Sequence, residues 1–272
     1  PTPEPSFRHG AAVALGQRGI AEASPVWRAG LAEPYAEIRN ACRQALIQLA
    51  APPSEELLEI AEEVAAGRWA RLEQRGEAAR ELLEVALQSA GLDAESAARR
   101  VGAAQTLGRL QPKGSFAALA ARLQDPHPRV RSAAATALGE IGDLRAEAPL
   151  VTCYGSVQPE VRIACLQAMA VLAGPIGERL LIAALDDPAP EVATAAFGLV
   201  GLRQLGGAFP RLVEILGEHD VDRQLQAMDA LAALGQLAAV EPLLELLQDQ
   251  RAERSEEPTS ELKVRQSIPY SV

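Results

Sequence analysis

The chain of 272 residues has only two Trp, three Tyr and four Phe, 3% of its length, although 48% of it is hydrophobic. A core without rings must be built from Ala, Leu and Val. That favours closely approaching helices over a β-sandwich, which draws on Tyr, Phe, Trp and Thr. Cysteine is scarce too: Cys42, Cys153 and Cys165 are an odd set with no C-x-x-C spacing. This excludes a disulfide framework and points to a reducing, cytoplasmic setting. Positive charge is in deficit, with 26 Lys and Arg against 36 Asp and Glu and a pI near 5.0. An acidic chain does not gather phosphate backbones, so no nucleic-acid partner is expected. No apolar run approaches the ~18 residues of a membrane span, and no membrane partner is expected. Residues 1–20 show no signal-peptide pattern.

What the chain does have is a repeat. Val130, Val161 and Val192 stand 31 residues apart, each opening a run rich in Ala and Leu. The same register reaches forward to Arg223 and back to Arg99, Ile38 and Phe7, with one blurred copy near residue 69. Taking each of these as position 0, position 8 holds Leu15, Leu46, Leu107, Leu138, Met169, Val200 and Leu231. Position 4 is small: Ala11, Cys42, Ala103, Ala134, Cys165, Ala196 and Ala227. Positions 0, 4, 7, 8 and 11 share one helical face, which defines an amphipathic helix B. A helix A precedes it, with Trp27, Leu58, Leu119, Leu150, Leu181, Leu212 and Leu243 eleven residues before zero. A turn rich in Asp and Pro joins A to B, as in DPHP at 125–128 and DPAP at 187–190. Pro suits a first helical turn, Asp caps exposed N–H groups, and Gly142 and Gly235 close their B helices. A lone pair of this size cannot bury its apolar face, whereas stacked pairs share one core. The predicted fold is all-α, a right-handed α-solenoid of about eight helix pairs.

Asp125, Pro126, Pro128, Val130, Arg131, Ala134, Ala137, Leu138, Gly139 and Gly142 resemble the short bacterial HEAT-like repeat, a family that includes the repeats of phycobilin lyases. The resemblance covers residues 7–250 and implies that the turn Asp and the Arg at position 1 form a hydrogen-bond ladder. Arg8, Arg39, Arg100, Arg131 and Arg162 hold that Arg column, with Asp125 and Asp187 as turn acids. Ala193 and Gln224 break the column, so the ladder is expected to weaken toward the C-terminus.

Residues 51–98 blur the pattern, and longer helices with a change of superhelical pitch are expected there. PTPEPS, at residues 1–6, cannot supply a partner for a helix beginning at Phe7 and reads as a disordered stub. Residues 251–272, with Pro258 and no small-residue column, read as a poorly ordered tail. Within it, RSEEPTSEL also resembles translated sequencing-adapter read-through. Both ends read as cut from a longer array.

Catalytic signatures are missing. His9, His127 and His219 fall in different repeats, and there is no H-E-x-x-H, P-loop, G-x-S-x-G or G-x-G-x-x-G. No metal and no cofactor is expected. The paired His-Glu motifs of di-iron HEAT-like enzymes are absent as well. The cysteines read as buried thiols, which disfavours a thioether to a bilin.

What remains is a surface. Positions 2, 5 and 9 of helix B are expected to face the concave side, and they turn apolar in later copies as Ile163, Leu166, Phe197, Leu225 and Met228. Such a stripe would hold a partner helix or peptide, or would pack between neighbouring repeats. Glu160, Asp186, Asp187 and Glu191 rim the turns as a solvated acidic edge. The expected function is a monomeric, non-catalytic scaffold binding a protein or peptide. One alternative, a bilin-lyase-type chromophore-handling subunit, is implied by the resemblance alone. Another is the regulatory arm of an enzyme whose catalytic domain lies outside this chain.

Overall fold

The computed structural model describes residues 10, 11, 13, 14, 24–31, 33, 35–87, 94–111, 115–235, 240 and 244. The stub 1–6, most of the copy opened by Phe7 with Arg8, most of the expected A helix that holds Leu243 (241–248) and the tail 251–272 lie outside them. Fourteen α-helices and no strand occur among the described residues. They are α1 (Ser24–Gly30), α2 (Ala36–Gln48), α3 (Glu55–Ala65), α4 (Trp69–Arg75), α5 (Arg80–Leu87), α6 (Ala94–Leu110) and α7 (Phe116–Arg122). Then come α8 (Pro128–Ile141), α9 (Glu147–Tyr154), α10 (Pro159–Leu172), α11 (Pro175–Ala183), α12 (Pro190–Leu202), α13 (Phe209–Leu216) and α14 (Val221–Leu234). The chain divides into two compact units, residues 1–192 and 193–272. The single array read from the sequence shows no such division, because its columns run through residue 192.

In the first unit, α7 and α9 are A helices and α8 and α10 are their B helices. Each A packs on its own B, and α6, α8 and α10 lie side by side. Leu46, Leu107, Leu138 and Met169 at position 8 are fully buried. Each such side chain contributes about 1.5–3 kcal/mol of burial. Neighbouring B helices touch through their small residues. A Cβ on Gly139 would stand 2.9 Å from the Ala168 Cα, and one on Gly108 would stand 2.8 Å from the Ala137 Cα. The second unit holds α13 packed on α14, with the body of α12 closing on α14 where a Cβ at Gly201 would lie 3.0 Å from the Ala233 Cβ.

Helix ends follow local chemistry. Pro128, Pro159 and Pro190 open α8, α10 and α12, where a missing N–H costs nothing. Each described B helix from α2 onward ends on a left-handed residue at position 12. These are Ala50, Gln111, Gly142, Ala173, Gln204 and Gly235, with φ between 45° and 73°. Only two of the six are glycine, so four carry a strain that the sequence does not advertise.

The irregular stretch 51–98 mixes lengths: α6, which begins in it at Ala94, is the longest described helix with 17 residues, while the run after Gly67 is cut into two short ones. α3, α4 and α5 have 11, 7 and 8 residues, and a 3-10 turn at Gly76–Ala79 separates the last two. Gly67 at φ 66° and Gly76 at φ 58° break the run on either side of α4.

The arginines at position 1 act as two-ended clasps. Arg131 Nη1 donates to the carbonyls of Asp125 and Pro126 in its own turn, at 2.7 and 3.2 Å. Arg162 Nη1 does the same to Ser156 and Val157, at 2.9 and 3.2 Å, and Arg39 Nη1 to Glu33 at 2.8 Å. The other edge of the guanidinium reaches the next repeat. Arg100 forms a two-point bond to Asp125 (2.9 and 3.0 Å), and Arg162 one to Asp187 (3.0 and 2.8 Å). Each Asp also accepts from the amide two residues on, His127 or Ala189. Arg131 meets Ser156 instead of an Asp, and its Nη2 donates to Ser156 Oγ and Gln158 Oε1 at 3.3 and 2.6 Å. Gln224, in place of an Arg, still donates to its own turn at Glu218 O, 2.7 Å away. Both Arg100 and Asp125 are buried. Asp187 is therefore no solvated rim residue: it takes bonds from Arg162, the Tyr154 hydroxyl and Ala189.

Removing one side of a buried pair deprives the other of its main partner; without Arg100, Asp125 keeps the longer 3.6 Å contact with Arg122 and the bond from the His127 amide. Arg100→Met should cost about 3–5 kcal/mol in urea unfolding followed by circular dichroism, whereas Arg145→Met, which removes a surface pair with Asp143 and the stacking of Arg145 on the Phe116 ring, should shift the midpoint far less. Glycine at a left-handed position relieves strain, so Ala173→Gly and Gln204→Gly should each raise stability by up to about 1 kcal/mol in the same measurement. Burial works to raise the Asp187 carboxyl, yet bonds from Arg162, Tyr154 and the Ala189 amide hold it below its ordinary value. A carboxylate lowered in the folded state adds stability above its unfolded pKa of about 3.9 and loses it as pH falls through the folded value. Urea midpoints between about pH 5 and pH 2 should therefore fall less steeply in Asp187→Asn than in the parent.

Candidate functional site

Once the A helix and two neighbours have covered a B helix, one strip remains. The flank at position 9 meets the flank at position 7 of the following B helix: Gly108 on Ala137, Gly139 on Ala168, Gly201 on Ala230. Positions 2, 6 and 10 lie between those flanks, one turn apart. In α8 and α10, position 2 is half-buried (Ser132, Ile163), while positions 6 and 10 are exposed: Thr136 and Glu140, then Gln167 and Val171.

This places the sequence candidates differently from expectation. Leu166 is 0% exposed and offers no surface, and Phe197, 3% exposed, contributes only an edge at the floor of a groove. Both occupy position 5, which turns with position 9 toward a flank and away from the open strip; Ala104 and Ala135 at the same position are buried too. Ile163 and Met228 are half-buried, and Leu225 is 53% exposed. Val171 and Leu202, at position 10 and outside the positions expected from the sequence, are 64% and 79% exposed. The signal was there in the four-residue step from positions 2 and 6, once position 9 is recognised as the contact glycine.

The second unit carries a groove of about 260 Å³ between α12 and α14. Thr194, Phe197, Gly198, Gly201 and Leu202 form one side, and Gln226, Asp229, Ala230 and Ala233 the other. Gln226 Nε2 donates to Thr194 Oγ1 at 3.0 Å. Gly198 keeps the groove open. It holds position 6, where other copies have Gln105, Thr136, Gln167 or Asp229, and a Cβ there would meet nothing within 4 Å. A glycine inside a helix costs about 1 kcal/mol relative to Ala, and here no packing contact requires it.

The thiols are turned inward. Burial, with Glu33 nearby, pushes Cys42 up to about 11. Cys165 is raised by its hydrogen bond with Cys153 and by burial. His127 is half-buried at the start of α8, His219 is exposed, and His9 lies outside the described residues. Among the described residues no group of three or more His, Cys, Asp or Glu is placed to hold a metal ion, and no helix is long and apolar enough to cross a membrane.

Family comparison places HEAT repeats over residues 74–170 and a PBS lyase HEAT-like repeat over residues 224–249. No curated protein matches the chain. Among solved structures, the complex of CpcE and CpcF of phycocyanin lyase from Nostoc sp. PCC7120 is 24% identical with a TM-score of 0.46, over 70% of this chain and 81% of that one. An engineered protein is 18% identical with a TM-score of 0.38, over 88% of this chain and 77% of that one. The HEAT-repeat match takes in α6 to α9 and nearly all of α10, the helices that carry the 31-residue columns, and residues 74–170 and 224–249 of the chain are HEAT-like repeats.

Proposed function

We propose that the chain is a non-catalytic scaffold that holds a protein partner on the open B-helix faces within each of its two units. The observation behind this reading is the exposure of Val171, Leu202 and Leu225 on positions that repeat stacking leaves free. Ile163, half-buried on α10 with Val171, and Met228, half-buried on α14 with Leu225, would each widen the contact within their own unit. Leu166, fully buried, supports the strip from beneath without touching the partner, and Phe197 shows only an edge, in the floor of the groove between α12 and α14. Apolar side chains on rigid, already formed helices lose little freedom on binding, so most of the burial energy is kept. A chromophore-handling role is the second reading, favoured by the PBS lyase HEAT-like repeat at residues 224–249. With Cys42, Cys153 and Cys165 all buried, that role would be non-covalent handling of the pigment.

A photoreactive amino acid placed at Val171, Leu202 or Leu225 in the cells that express the protein should crosslink one discrete protein. The same group at Arg179 or Glu214, exposed on A helices, should not. Uniform labelling from all five positions, or none from the B strip, would overturn the scaffold reading.

A further inference from the structure

We propose that the groove between α12 and α14 seats an amphipathic partner helix that carries Lys or Arg beside its apolar stripe. This rests on the scaffold reading and names the partner's chemistry. Three observations lead there. The first is Gly198, which weakens its own helix, packs on nothing and holds the groove open. The second is the shape. Gly198, Gly201, Ala230 and Ala233 make low walls, Phe197 a floor, and Leu202 and Leu225 are exposed on the same two helices. Low walls let a helix backbone come close, and about 260 Å³ takes one or two apolar side chains, less than a drug-sized ligand needs. The third is charge. Asp229 lines the groove, and Asp222 stands two turns earlier on the exposed face of α14. Arg211 is engaged by Glu214 and Glu218, and Arg223 by Glu218, which leaves the acidic face to a cationic partner.

Two fluorescently labelled helical peptides with the same Leu-Ala stripe, one flanked by Lys and one by Glu, are titrated with the full chain and followed by anisotropy. The Lys peptide should bind at least about tenfold tighter than the Glu peptide. Asp222→Lys with Asp229→Lys should reverse that preference. Gly198→Leu should abolish binding. Gly198→Ala, whose Cβ meets no neighbour, should weaken binding while raising the melting temperature, which separates loss of the groove from loss of the fold. Equal binding of both peptides, no binding of either, or sedimentation showing the groove covered by a second copy of the chain would overturn the proposal. Failure here with discrete crosslinks at Val171, Leu202 and Leu225 retained would remove this partner chemistry and leave the scaffold reading standing.

Discussion

Stacking in the first unit depends on one side chain used at both ends. The arginine at position 1 ties down the carbonyls of its own turn with one nitrogen and grips the following turn with the other edge. Helix pairs of Ala and Leu slide easily, because small residues give close approach but little registration. A planar guanidinium bonded at two points to a carboxylate fixes distance and angle together. At Arg100 and Asp125 the pair is out of water, so the desolvation cost is met only if that geometry holds. The turn Asp is itself committed, since its carboxylate also closes the bend in front of the next Pro. A local feature of the turn and a long-range contact are thus made by the same oxygen atoms.

Much of the fold was legible because the forces behind it repeat. Leu138 and its column announce a buried face, and Pro128 announces a helix start. What escaped were features carried by the backbone. The left-handed ends at Ala50, Gln111, Ala173 and Gln204 have no residue signature, since stacking imposes the conformation on whatever side chain is present. Residues 51–98 were legible only in part. The run after Gly67 has few breakers, and nothing in the sequence marks Gly76 as the residue that takes a positive φ and cuts α4 from α5. The division after Val192 is marked in the sequence only by Ala193 in the arginine column.

The candidate site was half legible. Counting from the apolar face identifies which side of helix B faces away from helix A, but cannot say how far the neighbouring B helices wrap around it. That wrap is set by glycine-alanine contacts such as Gly139 on Ala168, and it swallows position 5. Leu166 and Phe197 were therefore read as surface when they are core, and Val171 and Leu202 lie outside the expected positions. Gly198 was unreadable in sequence, where it resembles the packing glycines 108, 139 and 201; only the emptiness around it sets it apart.

The offset of the clasp has a consequence for how such an array can grow. Every 31-residue block that contains both an Arg at position 1 and an Asp in its turn arrives with both halves of the joint, a donor for the block behind it and an acceptor for the block in front. Duplicating or deleting one whole block leaves each joint complete, so length can change by recombination with no new interface to invent. A block such as the one with Ser156 in place of the acid, or Ala193 in place of the base, is different. It can be inserted, but it carries a weak coupling wherever it goes, and the array acquires a preferred place to bend or to be cut.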